Sequence, residues 1–147
     1  MRHRERVQPT VPVLALAAAA GASFGLILVP LSPALAGIVA ALLGLGSVAF
    51  AVASSPTVEV DGSTFRAGSA RIEGRFLGTV DVLDREGVRR ALGVEADARA
   101  WVCHRAWAAG AVKVTLDDPR DPTPYWLVSS NRPEELAGAL RSLIAVP

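Results

Sequence analysis

The chain has 147 residues and balances 15 Lys and Arg against 14 Asp and Glu, so it has neither the basic surplus of a nucleic-acid binder nor an acidic tail. Hydrophobic residues reach 51% while aromatics stay at 5%, a composition closer to Ala- and Leu-rich bilayer helices than to an ordinary globular core. A single cysteine, Cys103, excludes an internal disulfide and suits a reducing compartment.

Residues 1–12 read as a basic N-terminal segment in which Arg2, Arg4 and Arg6 outweigh Glu5. No Asp, Glu, Lys or Arg then occurs until Glu59. Within this tract Val13–Val29 and Leu35–Ala53 are apolar runs of about 17 and 19 residues, each spanning about 25 to 29 Å as a helix. Pro30 and Pro33 interrupt them, because proline lacks an N–H and pushes the preceding residue out of the α region. Residues 13–53 are therefore expected to form a transmembrane helical hairpin. Its short turn makes the helices antiparallel, and the arginines hold the N-terminus in the cytoplasm. Both termini are expected there, in a multi-pass protein of the plasma membrane.

Gly21 and Gly25 on the first helix, with Ala36, Ala40 and Gly44 on the second, give small-residue rows suited to close approach within the hairpin or, alternatively, to a homo-oligomer. Neither run contains an ionisable side chain, which argues against an ion pathway or proton relay. A rival reading treats the basic start and first apolar run as a signal peptide cleaved near Ala34-Leu35-Ala36, but it leaves a second strongly apolar run at the new N-terminus.

Residues 57–147 read as a small water-facing domain of roughly 90 residues. Thr57–Val60, the turn Asp61-Gly62-Ser63 and Thr64–Ala67 read as a hairpin, and Arg71–Arg75 and Gly78–Leu83 continue the strand pattern. Asp84 caps a short helix over Arg85–Leu92 that Gly93 stops. Strands are expected again over Arg99–Trp107, Ala111–Asp117 and Tyr125–Ser129. A final helix begins with an Asn131/Glu134 capping box and carries the stripe Leu136, Leu140, Leu143 and Ile144. About six or seven antiparallel strands covered by a C-terminal helix make an α+β module, expected by analogy to be a half-barrel like the pleckstrin-homology (PH) domain.

The string Asp117-Asp118-Pro119-Arg120-Asp121-Pro122-Thr123-Pro124-Tyr125-Trp126-Leu127-Val128-Ser129-Ser130, followed by Arg132-Pro133-Glu134-Glu135-Leu136, resembles the signature of an uncharacterised actinobacterial membrane-protein family, a domain of unknown function. The likeness extends to Arg89-Arg90-Ala91-Leu92-Gly93, Asp97-Ala98-Arg99-Ala100 and Trp107, and to the paired apolar helices. Ser130-Asn131 departs from a pair that in the family more often looks like Thr-Arg. The resemblance implies an architecture of two helices and one soluble domain, and brings no catalytic residues, cofactor or metal.

Adjacent residues on a strand point to opposite faces, so Cys103 and His104 diverge and do not make a nucleophile–base pair. Asp117, Asp118 and Asp121 lack the Gly and distal Glu of a calcium loop, and turn chemistry explains them better. Trp101, Cys103, Arg105 and Trp107 would share one strand face. Arg66, Arg71, Arg75, Arg85, Arg89 and Arg90 could attract anionic lipid, although most have Glu or Asp nearby. Trp107, Asp118, Arg120, Tyr125 and Trp126 are the candidate fold or contact determinants. The expected function is a non-enzymatic, membrane-anchored binding module that engages membrane lipid headgroups or a membrane-protein partner, and not nucleic acid. The alternative is an enzyme or accessory subunit of envelope metabolism at the inner leaflet.

Overall fold

A computed structural model of the protein describes residues 3–145, so Arg2 of the basic segment lies outside the described residues. The described residues form four α-helices and eight strands. The first surprise is at the start: His3–Arg6 is a strand, β1, in which Arg4 and Arg6 are exposed while Glu5 and the following Val7 are buried. The alternation of arginines with His3, Glu5 and Val7 is a period-two pattern with one wet face and one dry face. β1 pairs antiparallel with β2 (Thr57–Asp61), placing Arg6 opposite Thr57 and His3 opposite Val60. The basic segment is thus part of the β domain. Met1–Val7 and Pro56–Pro147 make one compact unit and Gln8–Ser55 the other, so the domain is discontinuous and the helices are inserted between two neighbouring strands.

The helical unit contains α1 (Val11–Ser23), a 3₁₀ segment (Phe24–Leu28) and α2 (Pro33–Ala53). Val11–Leu28 and Pro33–Ala53 are both long and apolar enough to cross a membrane. Pro12 and Pro33 occupy first-turn positions where a missing N–H costs nothing, and the Ser32 hydroxyl caps α2 by accepting the Leu35 N–H at 3.4 Å. The first helix is not uniformly α as expected. Pro30 cannot donate to the carbonyl four residues back, and the turns before it tighten to i→i+3 bonds such as Val29 N–H to Leu26 O. Gly25 lies against α2 so closely that an added Cβ would sit 2.6 Å from the Ala36 carbonyl oxygen, and one on Gly21 would collide with the Leu43 carbonyl. The small-residue rows therefore serve contact within the hairpin. Leu16, Leu26, Ile38, Leu42, Leu45 and Phe50 face outward.

In the other unit β1 and β2 are joined by β3 (Thr64–Ala67) and β4 (Ala70–Glu73) in one four-stranded sheet of order β1-β2-β3-β4. Gly62 and Gly68 take φ of +57° and +61° in its two turns, where a side chain would be strained. A second sheet has the order β5-β7-β8-β6, built from β5 (Leu77–Leu83), β6 (Trp101–Cys103), β7 (Gly110–Leu116) and β8 (Tyr125–Ser130). The main core lies between the sheets and beneath α4 (Pro133–Ile144), where Phe65 meets Trp126 with ring centroids 5.6 Å apart and Leu136 and Leu140 are fully buried. On the opposite face of the second sheet, Val88 and Ala91 of α3 (Arg85–Leu92) cover Ala111, Tyr125 and Leu127. β8, covered on both sides, is buried at every position.

Three expectations are corrected. The strand over Arg99–Trp107 is reduced to Trp101–Cys103, because the chain turns away at Arg105, whose carbonyl accepts the Ala108 N–H at 3.1 Å. This strand pairs parallel with β8, so the second sheet is not wholly antiparallel. The capping box at Asn131 does not form. α4 starts at Pro133 after Arg132, which makes no side-chain cap, while the Asn131 backbone N–H donates to Glu5.

Glu5 is 5% exposed. Its Oε2 accepts from the Ser130 hydroxyl at 2.5 Å and its Oε1 from the Asn131 N–H at 2.7 Å, which fastens β1 to the end of β8. Next to it, Val7 donates its N–H to the Pro56 carbonyl at 3.0 Å, and the indole N–H of Trp107 donates to the Val7 carbonyl at 3.1 Å. Glu5→Ala strands the Ser130 hydroxyl and the Asn131 N–H and is expected to cost about 2–4 kcal/mol, whereas exposed Arg4→Ala should change stability by about 0.5 kcal/mol or less. Denaturant unfolding of the detergent-solubilised chain measures both.

Candidate functional site

Helix α3 is eight residues long, capped by the Asp84 carboxylate accepting the Gly87 N–H at 2.8 Å and stopped at Gly93. Arg85, Val88, Arg89 and Leu92 recur at i, i+3, i+4 and i+7 and share one side. Facing them is the segment that leaves β6: His104, Ala106 and Ala108, with Gly110 at the start of β7. A cavity of about 490 Å³ lies between these walls. Arginine and histidine supply its ionisable lining, and no carboxylate among the described residues lines it. Glu86 reaches Arg90 at 3.8 Å and Glu95 reaches the same guanidinium at 3.9 Å, so the acids of this helix region are engaged away from Arg85 and Arg89. The expectation that most of these arginines are matched holds for Arg75, 2.9 Å from Glu73, and for Arg90, but not for Arg85 and Arg89, which make no ion pair among the described residues.

His104 is oriented from behind. Its Nδ1 lies 2.9 Å from Ser129 Oγ, and the same oxygen accepts the Arg105 N–H at 3.0 Å. These two contacts fix the orientation of the imidazole against the end of β8. Burial and the neighbouring Arg105 hold the imidazole below its ordinary pKa, so the ring is neutral at neutral pH. Cys103 turns the other way into the main core, where burial raises its thiol above the usual range.

The sequence candidates occupy other places. Asp118 and Arg120 are brought together: Asp118 Oδ1 accepts the Arg120 N–H at 3.0 Å and lies 3.4 Å from its Nε, while the guanidinium covers the Phe76 ring at 5.6 Å. They line a second cavity of about 550 Å³ with Arg71, Glu73 and Phe76. Asp121 accepts the Thr123 N–H at 2.9 Å, and hydrogen bonding from the Thr123 side chain, then from this N–H, lowers its carboxyl pKa. Both aspartates thus close local turns in the β7–β8 connection. Tyr125 and Trp126 point to opposite faces of β8. The Tyr125 hydroxyl accepts the Asp97 N–H at 3.2 Å beneath the Lys113 ammonium, and Trp126 packs between Phe65 and Trp101. Trp107 holds Val7. None of these five lines the cavity beside α3. Sequence reasoning missed the Arg85/Arg89 pair, although its four-residue spacing beside Val88 and Leu92 was a sufficient signal.

A family model described as "Protein of unknown function (DUF3093)" matches residues 2–140, a span that includes the helical insertion and all eight described strands. No curated protein and no solved structure matches the chain.

Because the native pKa of His104 lies beneath the ordinary 6.5, the unfolded chain takes up its proton first on acidification. The stability from neutral His104 is complete above pH 6.5 and is lost as the pH falls through the native pKa. Thermal unfolding in detergent is expected to show a steeper fall in Tm with acidification for the parent chain than for His104→Gln; equal slopes would assign the loss to another group.

Proposed function

The chain belongs to that family of proteins of unknown function, and on this premise we propose that it is a membrane-anchored binding module. In this reading the two helices cross the plasma membrane as a U, both chain ends face the cytoplasm, and the α+β unit engages lipid headgroups or a membrane-protein partner at the inner surface. The observation that carries it is the insertion of the apolar helices between paired strands β1 and β2. Residues 7–10 and 54–56 are all that separate strands from helices, and chain of that length reaches at most about 14 Å and 11 Å. A domain on such short connections stays in a thin layer beside the bilayer, where a weak intrinsic affinity suffices for another molecule of that surface.

Further support comes from the outward Leu, Ile and Phe side chains of the helices, which suit lipid contact, and from Arg4 and Arg6, which favour a cytoplasmic N-terminus. Spending the small residues inside the hairpin leaves a homo-oligomer without that interface. An enzymatic site built from His104, Asp118 and Asp121 would need them together. His104 and Asp118 line different cavities, Asp121 lines neither, and the core under α4 is filled. This favours the binding module over an enzyme or accessory subunit of envelope metabolism. The likeness to a PH-type half-barrel belongs to the same proposal and rests on two sheets with a C-terminal helix over their core.

Topology is tested with single cysteines in a Cys103→Ser background. Leu31→Cys is expected to react with a membrane-impermeant maleimide in intact cells, and Ser142→Cys only after permeabilisation. Labelling of Ser142→Cys from outside would overturn the orientation, and recovery of a soluble product cleaved near Ala36 would overturn the anchor.

A further inference from the structure

We propose that the cleft between α3 and the 104–110 segment binds a phosphomonoester bearing an apolar substituent. This deepens the binding-module reading and rests on it, but it does not depend on which side of the membrane the domain faces. Arg85 and Arg89 stand one helical turn apart on the same wall, about 5 to 6 Å along the axis, and neither is neutralised by an acid among the described residues. Two guanidinium forks offer paired N–H donors to the oxygens of a phosphate, the geometry in which arginine binds most strongly. The charge also matches. A phosphomonoester carries about −1.5 to −2 at neutral pH, whereas a carboxylate would leave one arginine unmatched.

The rest of the cleft selects what the phosphate is attached to. His104, held by its bond to Ser129, adds an uncharged polar ring from the opposite wall and so recognition without a further charge. Val88 and Leu92 on the helix, with Ala106 and Ala108 facing them, make the remaining lining apolar, and the small alanines keep the space open. At about 490 Å³ the cavity is in the range of sites for whole small molecules, with room beyond the phosphate group itself. The ligand is thus either a soluble phosphate ester with a hydrocarbon part or the headgroup of a phosphomonoester lipid.

The full chain in nonionic detergent is titrated calorimetrically with inorganic phosphate and with n-butyl phosphate. Saturable binding of n-butyl phosphate, about tenfold or more tighter than inorganic phosphate, is expected. Arg85→Gln and Arg89→Gln should each weaken it about tenfold or more, and Arg71→Gln in the second cavity should leave it unchanged. Arg89→Lys, which keeps the charge but loses the fork, should fall between, so that loss of binding is separated from loss of fold. The same chain in phosphatidylcholine nanodiscs, with or without phosphatidic acid, distinguishes the sources: butyl phosphate displaced by phosphatidic acid identifies the lipid headgroup, and undisturbed binding identifies a soluble ester. No saturable butyl phosphate binding, or binding indifferent to both glutamine variants, would overturn the cleft assignment while leaving the cysteine-labelling result, and with it the anchor, untouched.

Discussion

Pairing between β1 and β2 is the constraint from which the architecture follows. With Arg6 opposite Thr57, residues 8–55 must leave the sheet and return to a point one strand spacing away, about 4.8 Å. A stretch of this length and apolarity can do so as two antiparallel helices with a tight turn. The prolines at the turn and the glycines along the contact answer the same requirement, since the helices must stay close from one end to the other. Glu5 and Trp107 reinforce the pairing where the chain departs, one through a side chain of β1 and the other through the backbone of Val7 just beyond it.

β8 carries this constraint to the rest of the domain. Its two serines point to opposite faces: Ser130 binds the Glu5 carboxylate on the side of the first sheet, and Ser129 binds His104 on the side of α3. The fastening of the N-terminal strand and the back wall of the basic cleft are therefore adjacent residues of one fully buried strand. A strand covered on both faces allows few substitutions without a cavity or an unpaired polar atom, so it holds both partners in fixed register.

Much of this was legible from local pattern. The uncharged tract broken by Pro30 and Pro33 defined the helical pair, the Asp61-Gly62 turn defined the first hairpin, and the period of Leu136, Leu140 and Leu143 defined the buried face of α4. Asp118 and Asp121 proved to be turn formers by the chemistry that their prolines suggested. What escaped was non-local. β1 has its partner some 50 residues away across the helices, and its arginines read as a topology signal although the residues between them alternate toward the core. The parallel pairing of β6 with β8 has no local signature, since β7 lies between the two strands in the chain and they meet only once the sheet is assembled. Arg85 and Arg89 were visible as charge but not as a pair lining a wall, because that depends on which face of α3 the sheet covers.

Chain order gives the first strand an unusual history. β1 is made before both helices and its partner strand after them, so the edge of the sheet stays vacant until the whole insertion has been synthesised and has folded back. Until the two helices have paired, Glu5 has no fixed position from which to accept the Ser130 hydroxyl and the Asn131 N–H. Pairing of the helices and closure of the domain are then coupled, and the first strand to be made is the last to be secured.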